Sequence, residues 1–379
     1  MKMLIFKSML CFLSLALGVV KAEEKEDTKS IRLIEKSFNV EAGGFLELMN
    51  KYGQVDVHTW NKDSVKVKVE IVGYGKDEDD AEKLTDRVNI DFNKTGQYLI
   101  IETILDRKSG FFKELWNNIN DYSKTLLSKN KIEINYEIYM PRSFNLELDN
   151  KFGDVYLHEL FGKCEVRVTH GNLRANKFNG TTKIDVGYGD IRIKELSDGQ
   201  LILKSVEGEV LKMGKVDINS VSSDLRIVEA NDITLESKSD RKLIFEKLNY
   251  IKGNTSFSEL EIESLNKSAD MDMSYGSVSF KSVPFSFNKI DIRSKYTDVF
   301  LDFFPNSYLK VDITAKDENL RLPFENVKTK KEYLDDKQKE VRVTGRIGVE
   351  TNYLGYVNIE ANGGDISLSL SGVKQSANK

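Results

Sequence analysis

Apolar and polar residues alternate along most of the chain. Val65, Val67, Val69 and Ile71 alternate with Lys66, Lys68 and Glu70, the pattern of a strand with one buried and one wet face. Ile132, Ile134, Tyr136 and Ile138 repeat it, ended by Pro141. The same period of two recurs at Val166/Val168, Ile184/Val186, Ile191/Ile193, Leu201/Leu203 and Val216/Ile218. Only two stretches show helical spacing. Acids at Asp77, Glu78, Asp79 and Asp80 precede Ala81, Leu84 and Val88, predicting a short helix over about 77–88. Phe112, Leu115, Ile119, Tyr122 and Leu126 predict an amphipathic helix over 111–127, read as a cover for a sheet edge.

The strands fall into a repeated phrase. Leu146-Glu-Leu-Asp-Asn-Lys-Phe-Gly-Asp-Val-Tyr-Leu157 echoes Leu46-Glu-Leu-Met-Asn-Lys-Tyr-Gly-Gln-Val-Asp-Val57. Looser copies follow at 184–193 and 271–280. Each is strand, aromatic-Gly corner, strand. Gly153, Gly171 and Gly189 are 18 residues apart, and Gly208 follows after 19. Eighteen residues at strand rise trace roughly 60 Å, which suits one coil of a solenoid whose next coil stacks about 4.8 Å away. Tyr52, Phe152, Tyr188, Tyr275 and Tyr296 occupy equivalent corners, and His170 falls in the same column. Four prolines in 379 residues leave nearly every N–H free for a ladder.

The phrases Asn50-Lys-Tyr-Gly53, Asn150-Lys-Phe-Gly153, Gly187-Tyr-Gly-Asp190 and Ser294-Lys-Tyr296 resemble those of a family of secreted bacterial adhesins, the auto-transporter adhesin head or GIN-like domains. The resemblance covers residues 38 to 370, apart from polar insertions near 105–131 and 323–345. It implies a right-handed parallel β-helix or β-roll and supplies no catalytic residues. The expected class is therefore all-β. Residues 1–22 form a signal peptide and 23–36 a flexible leader. A β-rich region with the two short helices spans 37–143. A β-solenoid with coils of about 18 residues spans 144–372 and carries a loop at 323–345. Residues 373–379 form a mobile tail.

Met1 to Ala22 has the basic start and short apolar run of a secretory signal. Its removal takes Lys2, Lys7 and Lys21 and no acids, moving the formal charge from −4 to −7, which disfavours nucleic acid as a partner. Cys11 leaves with it, so Cys164 has no intramolecular partner. Its parity with Val166 predicts a buried thiol.

Chemistry is sparse. Among the three histidines, His58 and His158 stand at matching places in two copies of the phrase, which is a repeat relationship and not a metal-ligand spacing. Asp77 to Asp80 lacks the alternating ligands and turn glycine of a calcium loop. Asp154 and Asp190 recur at corners, where a carbohydrate-active enzyme would need two carboxylates converging in a cleft. No catalytic, cofactor-binding or metal residues are assigned, and no cofactor is expected. The expected function is non-enzymatic: an exported solenoid presenting a repetitive polar surface to a cell-envelope, polysaccharide or protein partner, located in the periplasm, on the outer surface or outside the cell. The rivals are a polysaccharide lyase or hydrolase on the same fold and a periplasmic structural or signalling accessory.

Overall fold

The computed structural model describes residues 27–105, 132–337, 339–351 and 353–371. The signal segment, the helix expected over 111–127 and the tail from 373 lie outside them. The chain is all-β: twenty strands hydrogen-bonded into one large mixed sheet, with one α-helix and one short 3-10 turn among the described residues.

Between residues 145 and 303 the pairings are parallel. Val166 faces Ile184 at an offset of 18, Glu207 faces Asp224 at 17, and Ala269 faces Ile290 at 21. The apolar residue of each alternating pair points inward, where Val166, Ile184, Leu203, Ile218, Leu235 and Ile292 join one continuous buried core. Cys164 lies in that core, and burial pushes its thiol up to about 12.

Ten rungs among the described residues turn at a non-glycine residue in the left-handed region, whereas Tyr308–Arg321 turns through the 3-10 turn Asp317–Asn319. Tyr52, Phe152, His170, Tyr188, Ser205, Ser222, Ser239, Phe257, Tyr275 and Tyr296 all have φ between 50° and 67°. The positive φ therefore belongs to the residue before the corner glycine in the early rungs. The glycine answers a different need: a Cβ on Gly171 would lie 2.0 Å from the Gly153 carbonyl oxygen, and one on Gly153 would lie 1.9 Å from that of Gly53. Backbone hydrogen bonds continue through these turns, as from the Phe152 N–H to Thr169 O and from the His170 N–H to Gly187 O, both 2.9 Å. Gly208 is not a corner. It pairs with Leu225 inside a strand run, and the corner of its rung is Ser205, 17 residues after Tyr188. Serine disguised that turn because its side chain carries no glycine-like signature.

The order of rungs in space departs from their order in sequence at both ends. Strands Phe45–Lys51 and Val55–Trp60 pair in parallel with Asn145–Lys151 and Val155–Leu160 on one side. On the other side they pair in parallel with Tyr98–Leu105 and Ile132–Pro141. The first copy of the phrase is thus sandwiched between later segments. The strand–corner–strand phrase Val357-Asn-Ile-Glu-Ala-Asn-Gly-Gly-Asp-Ile-Ser-Leu368, whose place at the end of the chain suggests that it closes the array, is sandwiched between earlier segments. Gly355–Asn362 lies between Lys289–Phe303 and Tyr308–Lys316, so it does not close the array.

Antiparallel strands cover the edges this leaves. Thr28–Asn39 pairs with Ser64–Gly75, which pairs with Ile132–Pro141. Strand begins at Thr28, inside the stretch expected to be a flexible leader; its alternating Ile31, Leu33 and polar neighbours are enough to extend an edge. At the far end Glu340–Gly348 pairs with Tyr308–Lys316 and with Val327–Tyr333. The loop expected at 323–345 is therefore a hairpin. Val327–Tyr333 is exposed along most of its length, so no apolar alternation marks it as strand. The helix foreseen at 77–88 spans Glu78–Asp86. Asp77 caps it by accepting the Asp80 N–H at 2.9 Å, and Val88 already opens the next strand.

Candidate functional site

Parity places Val55 and Val57 in the core and Asp56 and His58 on the outer face of the same strand. In-register pairing with Val155–Leu160 carries His158 alongside His58. Their rings meet edge to face, with centroids 4.4 Å apart. Asp56, His58 and His158 each offer a ligand atom, and the three atoms lie within 4.8 Å of one another. The two histidines are 100 residues apart in sequence, and only the stacking of two phrase copies joins them. That separation is why no metal-ligand spacing was visible along the chain.

The neighbouring strand Ile132–Pro141 completes the surroundings. Glu137 stands opposite Asp56 and Tyr139 opposite His58. Tyr139 stacks on His58 at 4.8 Å and packs against Trp60 at 5.4 Å. The Tyr139 hydroxyl and the Lys68 ammonium donate to Glu137 and hold its carboxyl below the usual range. Lys68 thus sits on Glu137. Asp56 differs: its Oδ1 is buried and accepts no hydrogen bond, although His58 Nε2 is 3.2 Å away. A cleft of about 370 Å³ adjoins this group, lined by Asp56, Lys68, Glu137 and the outer strand residues Leu33 to Glu35.

The corner carboxylates form no such cluster. Asp154 Oδ1 accepts the Asn172 N–H at 2.9 Å, and Asn172 Oδ1 accepts the Asp190 N–H at 2.9 Å. Asp154 and Asp190 are two rungs apart with Asn172 between them, so they are separated by about 10 Å along the stack. Each link ties one rung to the next. His170 lies in the corner column, stacked between Phe152 at 5.1 Å and Tyr188 at 4.9 Å, and burial lowers its pKa.

That column continues on both sides of His170. Tyr52, Phe152, His170 and Tyr188 form one stack, and the Lys204 ammonium lies 5.5 Å from the Tyr188 ring centroid. Phe257, Tyr275 and Tyr296 form a second stack, at 4.7 and 5.4 Å. The second stack is exposed, at 59%, 46% and 58%. Phe257 was not among the aromatic corners read from the sequence; the structure adds it to the stack. A wider groove of about 850 Å³ runs past Arg293, Lys316, Asp335 and Glu360. Its arginine is committed to Asp272, Asp270 and Asp291, and the first two raise its pKa further.

No protein-family model matches the chain, and comparison with curated proteins found no match. Two solved structures align over 89% of it. One is a "putative cell adhesion protein" from Clostridium sporogenes, at 14% identity over 99% of that chain, with a TM-score of 0.20. The other is a "putative lipid binding protein" from Parabacteroides distasonis, at 9% identity over 96% of that chain, with a TM-score of 0.29. At these scores neither likeness bears on what this chain does. No helix among the described residues is long and apolar enough to cross a membrane.

Proposed function

We propose that the chain is an exported, right-handed β-solenoid that binds a cell-envelope partner, polysaccharide or protein, through its outer ridge and catalyses nothing. Parallel pairing at offsets of 17, 18 and 21, with a corner in each rung, supports the solenoid. Its hand follows from the right-handed rule for parallel crossovers. The observation that carries the binding role is the exposed stack of Phe257, Tyr275 and Tyr296. Serine serves the same left-handed corner at Ser205, Ser222 and Ser239, so the backbone does not demand an aromatic there. Holding a non-glycine residue in that region costs about 1–2 kcal/mol whichever side chain it carries. Rings at more than 40% exposure present apolar edges in a row to solvent, the usual mark of an interaction surface. The binder reading also draws on Asp154, whose carboxylate is taken by a backbone N–H.

The test is retention of the purified mature chain on an envelope fraction, alongside a triple variant, F257S/Y275S/Y296S. The wild type is expected to be retained and the variant released. Protease treatment of the fraction distinguishes a protein partner from a polysaccharide one. Equal retention of both chains, no retention of the wild type, or cleavage of envelope polysaccharide by the wild type would each overturn the reading.

A further inference from the structure

We propose that Asp56, His58 and His158 form a binding site for a divalent first-row transition metal, with zinc the best match. This stands apart from the corner ridge and does not depend on its role.

Three observations converge. The donor set is two imidazoles and one carboxylate, which suits zinc, cobalt, nickel or copper and not the all-oxygen preference of calcium or magnesium. The three ligand atoms already lie within 4.8 Å of one another. Around a tetrahedral zinc with bonds of about 2.0–2.1 Å, ligand atoms sit about 3.4 Å apart. Asp56 and His58 meet that spacing at 3.2 Å. His158 is exposed, so its ring can close the remaining gap by rotating about its side-chain bonds.

The third observation is the state of Asp56. Its Oδ1 is shielded from water and 3.2 Å from an imidazole nitrogen, yet no hydrogen bond joins them. A buried carboxylate oxygen that accepts no hydrogen bond is costly. The imidazole nitrogen and the carboxylate oxygen are in ion-pair range, and a cation held by both would engage each of them. A metal ion there would satisfy the oxygen.

The framework is rigid where it matters. Asp56 and His58 are two residues apart on one strand whose Val55 and Val57 are fully buried. His58 is backed by Tyr139, itself packed on Trp60. Glu137, one strand away from Asp56, is held by Lys68 and leaves Asp56 as the carboxylate of the site. Three protein ligands leave a coordination position open on the outer face, available to water or to a donor group from another molecule.

The test uses the tag-free mature protein, titrated separately with Zn²⁺, Co²⁺ and Ca²⁺ by calorimetry, with the cobalt absorption spectrum as a second readout. One equivalent of Zn²⁺ or Co²⁺ is expected, with a raised unfolding midpoint and no matching response to Ca²⁺. His158→Asn alters an exposed side chain and leaves the fold intact; it should weaken binding at least about tenfold. Asp56→Asn should do the same, while His170→Asn, in the corner column, should leave affinity unchanged. Absence of saturable zinc or cobalt uptake overturns the site. So does uptake that His158→Asn leaves unaltered, uptake that depends on His170, or calcium binding of equal affinity.

Discussion

The corners at Phe152, His170 and Tyr188 and those at Ser205, Ser222 and Ser239 share one backbone conformation but are held by different means. In the first group the turn residue is aromatic and stacks on its neighbours, and the next residue is glycine because the preceding rung's carbonyl occupies the space of a Cβ. In the second group the next residues are Val206, Ser223 and Asp240, and all three side chains are buried. There the interior carries a polar hub. Asp240 accepts from Ser220 Oγ at 3.0 Å, the Ser223 N–H at 2.7 Å and Ser237 Oγ at 2.5 Å, while its own N–H donates to Ser258 Oγ. The first rungs use a lighter polar device: Asn50 donates to Asn150 at 3.0 Å, and Asn150 donates to the Gly53 and Gly153 carbonyls. In these six rungs the left-handed turn thus recurs whichever side chain occupies it. What fills the inside of the corner is a separate choice, free to vary as long as each polar atom finds a partner.

The sharpest way to break this comparison is to place the same small side chain in both corner types. Gly171→Ala drives a Cβ into the Gly153 carbonyl, backbone against backbone with nothing flexible to yield. A loss of about 3 kcal/mol or more is expected in urea unfolding. Ser223→Ala at the matching position of a serine corner should cost about 1–2 kcal/mol, since no space is contested and what is lost is a hydroxyl that accepts the Val206 N–H and donates to Val221 O. Equal costs would show that the two corner types are not distinct.

Asp240 gives the next effect. Asp240→Ala strips the acceptor from two hydroxyls and one backbone N–H, and about 2–3 kcal/mol of destabilisation is expected. Burial raises the pKa of this carboxyl above its usual value, against the opposing hydrogen bonds from Ser237, Ser223 and Ser220. A folded-state pKa above the unfolded one means the native state binds the proton more tightly. The contribution is full below the unfolded value near 4 and declines as pH rises through the folded value. The wild type should therefore lose stability relative to Asp240→Asn as pH rises from 4 to 7. A flat difference across that range would show that this carboxyl titrates as if exposed.

The aromatic column gives a smaller change. Tyr275→Ser breaks two stacking contacts in a corner that serine is able to occupy, so about 1–2 kcal/mol is expected, with the fold retained by circular dichroism. Phe257→Ser breaks one such contact and should cost about half as much. Smallest in energy is the behaviour of Cys164. A thiol reagent should modify it slowly in the native protein and rapidly in denaturant, since burial both hides the sulfur and disfavours the thiolate. Fast native labelling would mean that the rung opens readily.

Much of the fold was legible because its signals are local. Period-two alternation fixed which side chains of Cys164 to Thr169 face inward, and the aromatic-Gly corner fixed where the rungs at Phe152, His170 and Tyr188 turn. The helix start at Asp77 to Asp80 was readable for the same reason, and the structure makes Asp77 its cap, with a partner three residues away. Legibility failed where a turn had no glycine, as at Ser205, and where a strand was wet on both faces, as at Val327–Tyr333. The corner role of His170 was readable from the repeat, while the meeting of His58 and His158 was not.

The sequence by itself determined the repeating unit and its parity, because each depends on residues within a single rung; that the left-handed residue precedes the corner glycine was seen only in the structure. Tertiary structure alone decided which rungs are neighbours. Residues 45–60 lie between 98–141 and 145–160, and residues 355–369 lie between 289–303 and 308–321. Any copy of the phrase presents the same ladder of N–H and C=O groups, so its own sequence cannot name its partner. The choice falls to which edges the antiparallel strands cover and which remain open to pair. The same choice brings Asp56, His58 and His158 together on the outer face.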